Sequence, residues 1–248
     1  RIALPWHRRA KLLYCYSAIG IFGGMLLSYF ASQYISSGMM SLVFGLAPIL
    51  SGLLAQKILS EPAFGLVRRV AIIIAVLGLC LVCSENMAFG NEAYIGLLLV
   101  LGAVFFFSLS GVLVKSVHIT IHPIATTVGS LIVCIPFFAL TWYFFDGTLL
   151  IETWEPRSLW AILYLGIFGS LVGFVAYFFV LQKLNASTVS LITMITPILA
   201  ICFGALLNDE LLSINIVLGA LTVMFGLWIY QFGPKLIQKR KLRVTQEL

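Results

Sequence analysis

The stretch SYFASQYISSGMMSLVFGLAPILSGLLAQKILSE, residues 28–61, has a similar counterpart later in the chain. The counterpart lies in residues 176–210, AYFFVLQKLNASTVSLITMITPILAICFGALLNDE, of which 177–210 are 149 positions further along. One offset relates the two stretches, since 197 − 48 and 210 − 61 both equal 149. It pairs Pro48 with Pro197 and Glu61 with Glu210. The same offset aligns other identical residues: Gly20 with Gly169, Gly24 with Gly173, Phe30 with Phe179, Gln33 with Gln182, Ser41 with Ser190, and Ile49-Leu50 with Ile198-Leu199. The chain therefore contains an internal repeat.

The composition around this repeat is that of a membrane protein. Of the 248 residues, 61% are hydrophobic and 10% are charged, and the mean hydropathy is +1.09. A chain this apolar does not fold around one water-soluble core. Eight apolar runs of about 18 to 25 residues are long enough to cross a bilayer: Leu12–Ala31, Met39–Gln56, Val70–Met87, Tyr94–Val114, Pro123–Phe145, Leu159–Leu181, Thr188–Leu207 and Ser213–Phe232. The predicted fold is all-α and polytopic.

Charged residues separate by loop. Sorting them into alternate loops places 14 of the 15 basic residues on one side, and Arg157 alone on the other. The other side carries seven of the nine acidic residues: Glu85, Glu92, Asp146, Glu152, Glu155, Asp209 and Glu210. The positive-inside rule makes the basic side cytoplasmic. We expect both visible termini in the cytoplasm, most simply at a bacterial inner membrane. The basic tail is interpreted as an anchor on anionic membrane lipid, with no nucleic-acid partner.

The two copies of the repeat run in opposite directions. The first span runs outward from the cytoplasm, whereas Leu159–Leu181 runs inward, so the repeats are inverted. Inverted repeats allow two related arrangements, each open to one side of the membrane. The second copy begins with two further spans, and 94 − 149 = −55 places their partners before Arg1. We therefore expect a five-plus-five parent whose first two helices, about 55 residues, are missing. The predicted units are 1–90, 91–233 and a tail 234–248.

The two quoted stretches resemble the repeated pattern of EamA-type members of the drug/metabolite transporter superfamily, and the resemblance covers essentially the whole chain. It implies ten helices, a central cavity between the repeats, and export or exchange of amino acids or similar metabolites. The chain departs from the family pattern because it lacks the first pair of helices. In that family the pair helps to line the cavity.

Candidate functional residues are uncharged, because the predicted spans contain no charged residue near their midplane. Unpaired polar groups are costly in lipid, so those present should face other helices or a wet cavity. The residues predicted to line a substrate cavity are Tyr29, Ser41, Phe44, Tyr177, Ser190 and Thr193. Pro48 and Pro197 should bend their helices, and Glu61 and Glu210 are predicted to stabilise helix ends. Whether the prolines are hinges or fixed kinks stays open.

The sequence lacks the motifs that other functional classes require. An intramembrane enzyme would need a nucleophile with a base, paired aspartates or a metal cluster, and none is evident. The five cysteines show no ligand spacing, and His118 and His122 lack a third ligand, so no metal or cofactor is expected. A membrane scaffold or receptor without transport remains an alternative. The expected partners are a small-molecule substrate and membrane lipid. A homodimer with a second copy of the chain is also compatible with the sequence.

Overall fold

The computed structural model describes residues 3–89, 93–145, 155–183, 186–207 and 213–246, with side chains for all of these except 83–89, 183, 186–195, 235 and 237–246. Every regular element in these ranges is helical. In chain order the helices are α1 Arg8–Ala31, α2 Ser37–Ile58, α3 Leu66–Phe89, α4 Ala93–Ser116, α5 Pro123–Phe145, α6 Pro156–Gln182, α7 Ala186–Leu207 and α8 Ile214–Gln246.

Helix length and composition make this a multi-pass membrane protein, which confirms the predicted fold class. Within the described residues, six segments are long and apolar enough to cross a bilayer: α1, α2, α4, α5, α6 and the Ile214–Pro234 part of α8. The two other predicted spans are helices as well, with 24 residues in α3 and 22 in α7. Helix α8 has 33 residues and continues to Gln246, beyond the predicted end of its span at Phe232.

Two helices contain wider, π-helical turns. In α1 this stretch is Ile19–Gly24, and in α6 it is Leu165–Val172. Both stretches include the tetrapeptide Gly-Ile-Phe-Gly, at residues 20–23 and 166–169. A π-turn holds an extra residue, so it changes which side chains face a neighbouring helix. The two copies of the repeat therefore share a local irregularity that hydrophobic periodicity does not predict.

Helix α2 is interrupted near its middle. Its two parts, Ser37–Phe44 and Ala47–Ile58, are joined through Gly45 and Leu46. Pro48 has no N–H to donate to the carbonyl four residues earlier, and its ring crowds the preceding turn. The corresponding Pro197 lies inside α7, which is continuous from Ala186 to Leu207. The same residue type thus accompanies a broken helix in one copy and an unbroken helix in the other.

Helices α3 and α8 pack with almost no side chain between them. A Cβ atom added to Gly78 would lie 2.6 Å from the backbone nitrogen of Val223 and 2.8 Å from the carbonyl oxygen of Gly219. One added to Gly226 would lie 2.6 Å from the backbone nitrogen of Ala75. Small residues let membrane helices approach closely where lipid supplies no hydrophobic driving force. The α3–α8 seam, defined by Gly78, Gly219, Gly226 and Ala75, is such a contact.

We expect Gly78→Ala to destabilise the protein by about 1–3 kcal/mol, because the added methyl group would meet backbone atoms that cannot rotate away. The measurement is the free energy of unfolding in a detergent titration. Gly65→Ala is the control, since a Cβ at Gly65 meets no atom within 4 Å. Equal stability of the two variants would contradict the close approach of α3 and α8.

Candidate functional site

The interruption of α2 lies against the proline of α7. A Cβ added to Gly45 would lie 3.7 Å from the Cγ atom of Pro197 and 3.2 Å from the Cδ1 atom of Leu227. Pro197 is fully buried, whereas Pro48 is partly exposed. The irregular part of one predicted copy is therefore in contact with the corresponding part of the other.

Helix α4 forms a wall beside this junction. The ring of Phe107 packs edge-on against Phe44, with 5.7 Å between ring centroids. One residue further, the hydroxyl of Ser108 donates to the carbonyl oxygen of Ala47 at 3.3 Å. One turn further along α4, Gly111 has no side chain and so leaves space for Tyr177 of α6. A Cβ added to Gly111 would lie 3.1 Å from the hydroxyl oxygen of Tyr177. Helices α2 and α6 therefore contact one face of α4.

This structure brings three of the predicted cavity residues to one region. Ser41 is buried and donates to the carbonyl oxygen of Gly38 at 2.8 Å, one turn before the interruption. Phe44 and Tyr177 reach the same face of α4, as described above. Tyr177 is 39% exposed although it lies against α4. We define the candidate site as Ser41, Phe44, Phe107, Ser108, Gly111 and Tyr177 together with the interruption in α2.

The other predicted residues lie apart from this region or outside the described residues. Tyr29 is 47% exposed and adjoins Phe30, whose ring packs on Phe145 at the end of α5. Ser190 and Thr193 lie in α7, but their side chains are outside the described residues, and so is the whole of Glu210. Glu61 is exposed and lies five residues before α3 begins, rather than in its first turn. Its predicted role at a helix end stays a prediction.

A tyrosine of α8 also holds the interrupted helix. The hydroxyl of Tyr230 donates to the carbonyl oxygen of Pro48 at 3.2 Å, although the two residues are 182 positions apart. The guanidinium of Arg68 lies over the rings of Tyr230 and Phe64, at 5.4 and 5.7 Å from their centroids. Together with Ser108, Tyr230 supplies hydrogen bonds to carbonyls of the second part of α2, which holds that part in place.

Sequence reasoning missed Phe107, Gly111 and Tyr230. Phe107 and Gly111 are four positions apart, so they share a face of α4 beside Ser108. That spacing is visible in the sequence, but phenylalanine and glycine are both frequent in membrane helices. Nothing in a single sequence indicates that Tyr230 reaches a carbonyl in α2. These residues are recognised only from contacts between distant helices.

Helix α6 has little cover on its first half. Its residues from 156 to 169 are all exposed, and a Cβ at Gly166 meets no atom within 4 Å. The same tetrapeptide in α1, which lies 146 rather than 149 residues earlier, is covered by α4. A Cβ at Gly20 would lie 2.6 Å from the Cβ of Ser110, and one at Gly23 would lie 2.9 Å from the ring of Phe106. The same Gly-Ile-Phe-Gly sequence is thus a helix contact in α1 and an open surface in α6.

The chemistry of the candidate site is that of an apolar wall with a few hydroxyl and carbonyl groups. Such surroundings suit a small amphipathic molecule, held by burial of its apolar part and oriented by a few polar contacts. Among the described residues, no group of three or more His, Cys, Asp or Glu is placed to hold a metal ion.

The second half of the chain carries the family signature. Residues 94–231, which are more than half of the chain, match the EamA-like transporter family. The chain belongs to the EamA-like transporter family. The resemblance seen in the repeated stretches is thereby confirmed, and this EamA-like transporter is a membrane transport protein by family.

Named relatives agree with this assignment. The uncharacterized transporter YoaV of Bacillus subtilis is 26% identical over 211 residues, which cover 85% of this chain and 72% of that protein. An uncharacterized transporter of Archaeoglobus fulgidus is 28% identical over 216 residues, covering 86% and 75%. A probable amino-acid metabolite efflux pump of Escherichia coli is 25% identical over 169 residues, covering 65% and 56%. All three are named as transporters or pumps.

We expect Ser108→Ala and Tyr230→Phe each to destabilise this EamA-like transporter by about 0.5–1.5 kcal/mol, because each removes one hydrogen bond to the second part of α2. The double variant should lose less than the sum, since both bonds hold the same rigid segment. The measurement is a double-mutant cycle of unfolding free energies.

Ser116→Ala is the matched control for this cycle. Its hydroxyl donates to the Leu113 carbonyl of its own helix at 2.7 Å, so its loss should leave the packing of α2 unchanged. Strictly additive losses for Ser108 and Tyr230 would contradict a shared role in holding α2.

Proposed function

We propose that this transporter exports or exchanges small amphipathic metabolites such as amino acids, by alternating access between two inverted repeats. The observation that carries the proposal is the contact between the interruption of α2 and Pro197 of α7. Transporter sites commonly lie near the midplane where repeats meet and where helices are discontinuous. The substrate class is supported by the Escherichia coli relative named as a probable amino-acid metabolite efflux pump.

The site would bind its substrate between α2, α4 and α6. Phe44 and Phe107 supply aromatic surface, and Tyr177 supplies a ring with a polar end next to Gly111. The broken and unbroken helices around Pro48 and Pro197 represent two states of one sequence pattern. Alternating access follows if the two copies exchange these states, because the site would then open to the opposite side of the membrane.

The open surface of α6 supports a five-plus-five arrangement. In α1, the Gly-Ile-Phe-Gly stretch is covered by α4, the first helix of the opposite predicted copy. By the symmetry of inverted repeats, the same stretch in α6 would be covered by a counterpart of α4 that belongs to the first copy. We infer that this stretch of α6 is a surface for contact with another helix, as its counterpart in α1 is.

Transport is tested in cells or proteoliposomes that contain the protein, with a panel of labelled amino acids and related metabolites. We expect at least one substrate to show protein-dependent flux. Ser41→Leu should lower that flux at least about tenfold, equivalent to about 1.4 kcal/mol, because the larger side chain enters the buried region beside the interruption.

Ser32→Leu is the control, since Ser32 is exposed and its hydroxyl bonds only to the nearby Tyr29 carbonyl at 2.7 Å. The amount of folded protein is compared by size-exclusion chromatography. Absence of flux across the whole panel would overturn the transport proposal. Unchanged flux in Ser41→Leu would instead show that the substrate binds elsewhere.

The proposed orientation, with the basic end of the bundle in the cytoplasm of a bacterium, gives a separate prediction. A fluorescent protein that folds only in the cytoplasm, fused after Leu248, should be fluorescent. Alkaline phosphatase fused at the same position should be inactive, because it matures only outside the cytoplasm. The reverse pattern would show that the positive-inside assignment is wrong for this chain.

A further inference from the structure

Two arginines at the start of α3 are held against one aromatic residue, Phe64. The guanidinium carbon of Arg68 lies 5.7 Å from the ring centroid of Phe64 and 5.4 Å from that of Tyr230. The Nε–H of Arg69 donates to the carbonyl oxygen of Phe64 at 3.0 Å. Within the described part of the chain, neither arginine forms an ion pair. Two positive charges are therefore fixed around Phe64 without a paired carboxylate.

Two side-chain donors in this region also lack acceptors. The Nε atom of Arg68 and the amide nitrogen of Gln56 are both buried, and neither has a hydrogen-bond partner among the described residues. Gln56 lies four positions after Gly52 and so on the same face of α2. A Cβ added to Gly52 would lie 2.6 Å from the Cζ atom of Phe64. The face of α2 that carries Gln56 therefore meets the residue that holds both arginines.

The ends of the basic side chains are open to a ligand. Arg68 is partly exposed, and its terminal nitrogens are accessible although its Nε is buried. Arg69 is exposed, and so is Lys57, the residue after Gln56. We call the set Gln56, Lys57, Arg68 and Arg69 the basic corner. Its free N–H groups suit a ligand with several acceptor oxygens, and the planar fork of arginine matches phosphate in particular.

The charge balance of the basic corner favours an anion. Glu61 is the one acidic residue between α2 and α3 in the sequence. Its backbone N–H donates to the carbonyl oxygen of Ala55 at 3.3 Å, and its side chain is exposed. The three cationic side chains of the basic corner outnumber this single carboxylate, so positive charge remains in excess there.

An exposed apolar stripe on α3 runs away from the basic corner. Leu66, Val70, Ile73 and Leu77 are all exposed, and their spacing of four, three and four residues places them on one face of the helix. Arg69 lies one turn before Ile73, next to this stripe. A soluble phosphate would leave the stripe unused, whereas a phospholipid carries a phosphate and acyl chains in one molecule. Basic pockets between membrane helices are known to bind lipid head groups in this way.

We propose that the basic corner binds the phosphate group of an anionic membrane lipid, and that an acyl chain of this lipid lies along the exposed stripe of α3. The phosphate oxygens accept hydrogen bonds from the guanidinium groups and offset their positive charge. The basic corner belongs to the predicted cytoplasmic side, so the lipid comes from the cytoplasmic leaflet. Lipid binding there does not require transport and goes beyond the proposed function.

The binding test uses the purified full chain in detergent micelles, without any measurement of flux. Thermal unfolding is followed while phosphatidylglycerol replaces phosphatidylcholine with the same acyl chains, at constant total lipid and low ionic strength. A ligand that binds only the folded protein raises the melting temperature with concentration. We expect a saturable rise with phosphatidylglycerol. No rise would overturn the proposal.

A parallel titration with inorganic phosphate separates a lipid head group from a soluble anion. We expect no rise in melting temperature with inorganic phosphate at the concentration at which phosphatidylglycerol saturates. An equal rise with both would assign the basic corner to a soluble phosphate and overturn the lipid assignment.

Arg68→Gln locates the effect. The variant removes one charge and the guanidinium fork, so the apparent Kd for phosphatidylglycerol should rise at least about tenfold. Arg9→Gln is the matched control, because Arg9 is an exposed arginine on the same predicted side of the membrane. Equal lipid responses in the two variants would indicate general attraction to a basic surface and overturn the proposal.

Glu61→Gln is a second variant in case Arg68→Gln does not fold. Its effect should have the opposite sign, because it removes the one negative charge that opposes the lipid phosphate. We expect the apparent Kd for phosphatidylglycerol to fall at least about twofold, and unchanged or weaker binding would contradict the proposed site. Because binding is measured apart from flux, a protein that binds the lipid and transports nothing would refute the transport proposal alone.

Discussion

A backbone amide inside a bilayer has no water to bond with, and this constraint shapes the whole molecule. Continuous helices meet it internally, which is why helical segments account for all the regular structure described. Where α2 is interrupted, the constraint has to be met from outside the helix. Ser108 of α4 and Tyr230 of α8 donate to the carbonyls of Ala47 and Pro48. Among the described residues, no hydrogen bond reaches the carbonyls of Leu42, Phe44 and Gly45.

Helix α4 connects the features that matter for the site. It covers the glycines of α1 through Phe106 and Ser110, and it bonds to α2 through Ser108. It also leaves room for Tyr177 of α6 at Gly111. One helix of the second predicted copy is therefore the common contact for helices of both copies, and a shift of any of them relative to α4 alters the candidate site.

The sequence was sufficient for the fold class, because the bilayer thickness determines how long an apolar helix must be to cross it, and runs of that length are visible in the sequence. It also led to the prediction of Ser41, Phe44 and Tyr177 as cavity residues, and their role stays a prediction although the structure brings the three to one region. It was insufficient for Pro48 and Pro197, which have the same residue type but lie in a broken and an unbroken helix. A periodic pattern does not indicate which helices surround each proline. Tyr29 shows the same limit, because its position on α1 does not determine which neighbour it meets.

The α3–α8 seam restricts how the protein can move. Side chains at an ordinary helix contact can change rotamer and let one helix slide, but the backbone atoms that meet at Gly78, Gly219 and Gly226 have no such freedom. A Cβ at Gly219 would overlap the Cγ2 atom of Val82, and one at Gly78 would lie 2.9 Å from the Cβ of Thr222, so a slide of either helix would press side chains against the opposing backbone. Relative motion is therefore easier to accommodate at the contacts that side chains make, which include those at the interruption of α2, than at the α3–α8 seam.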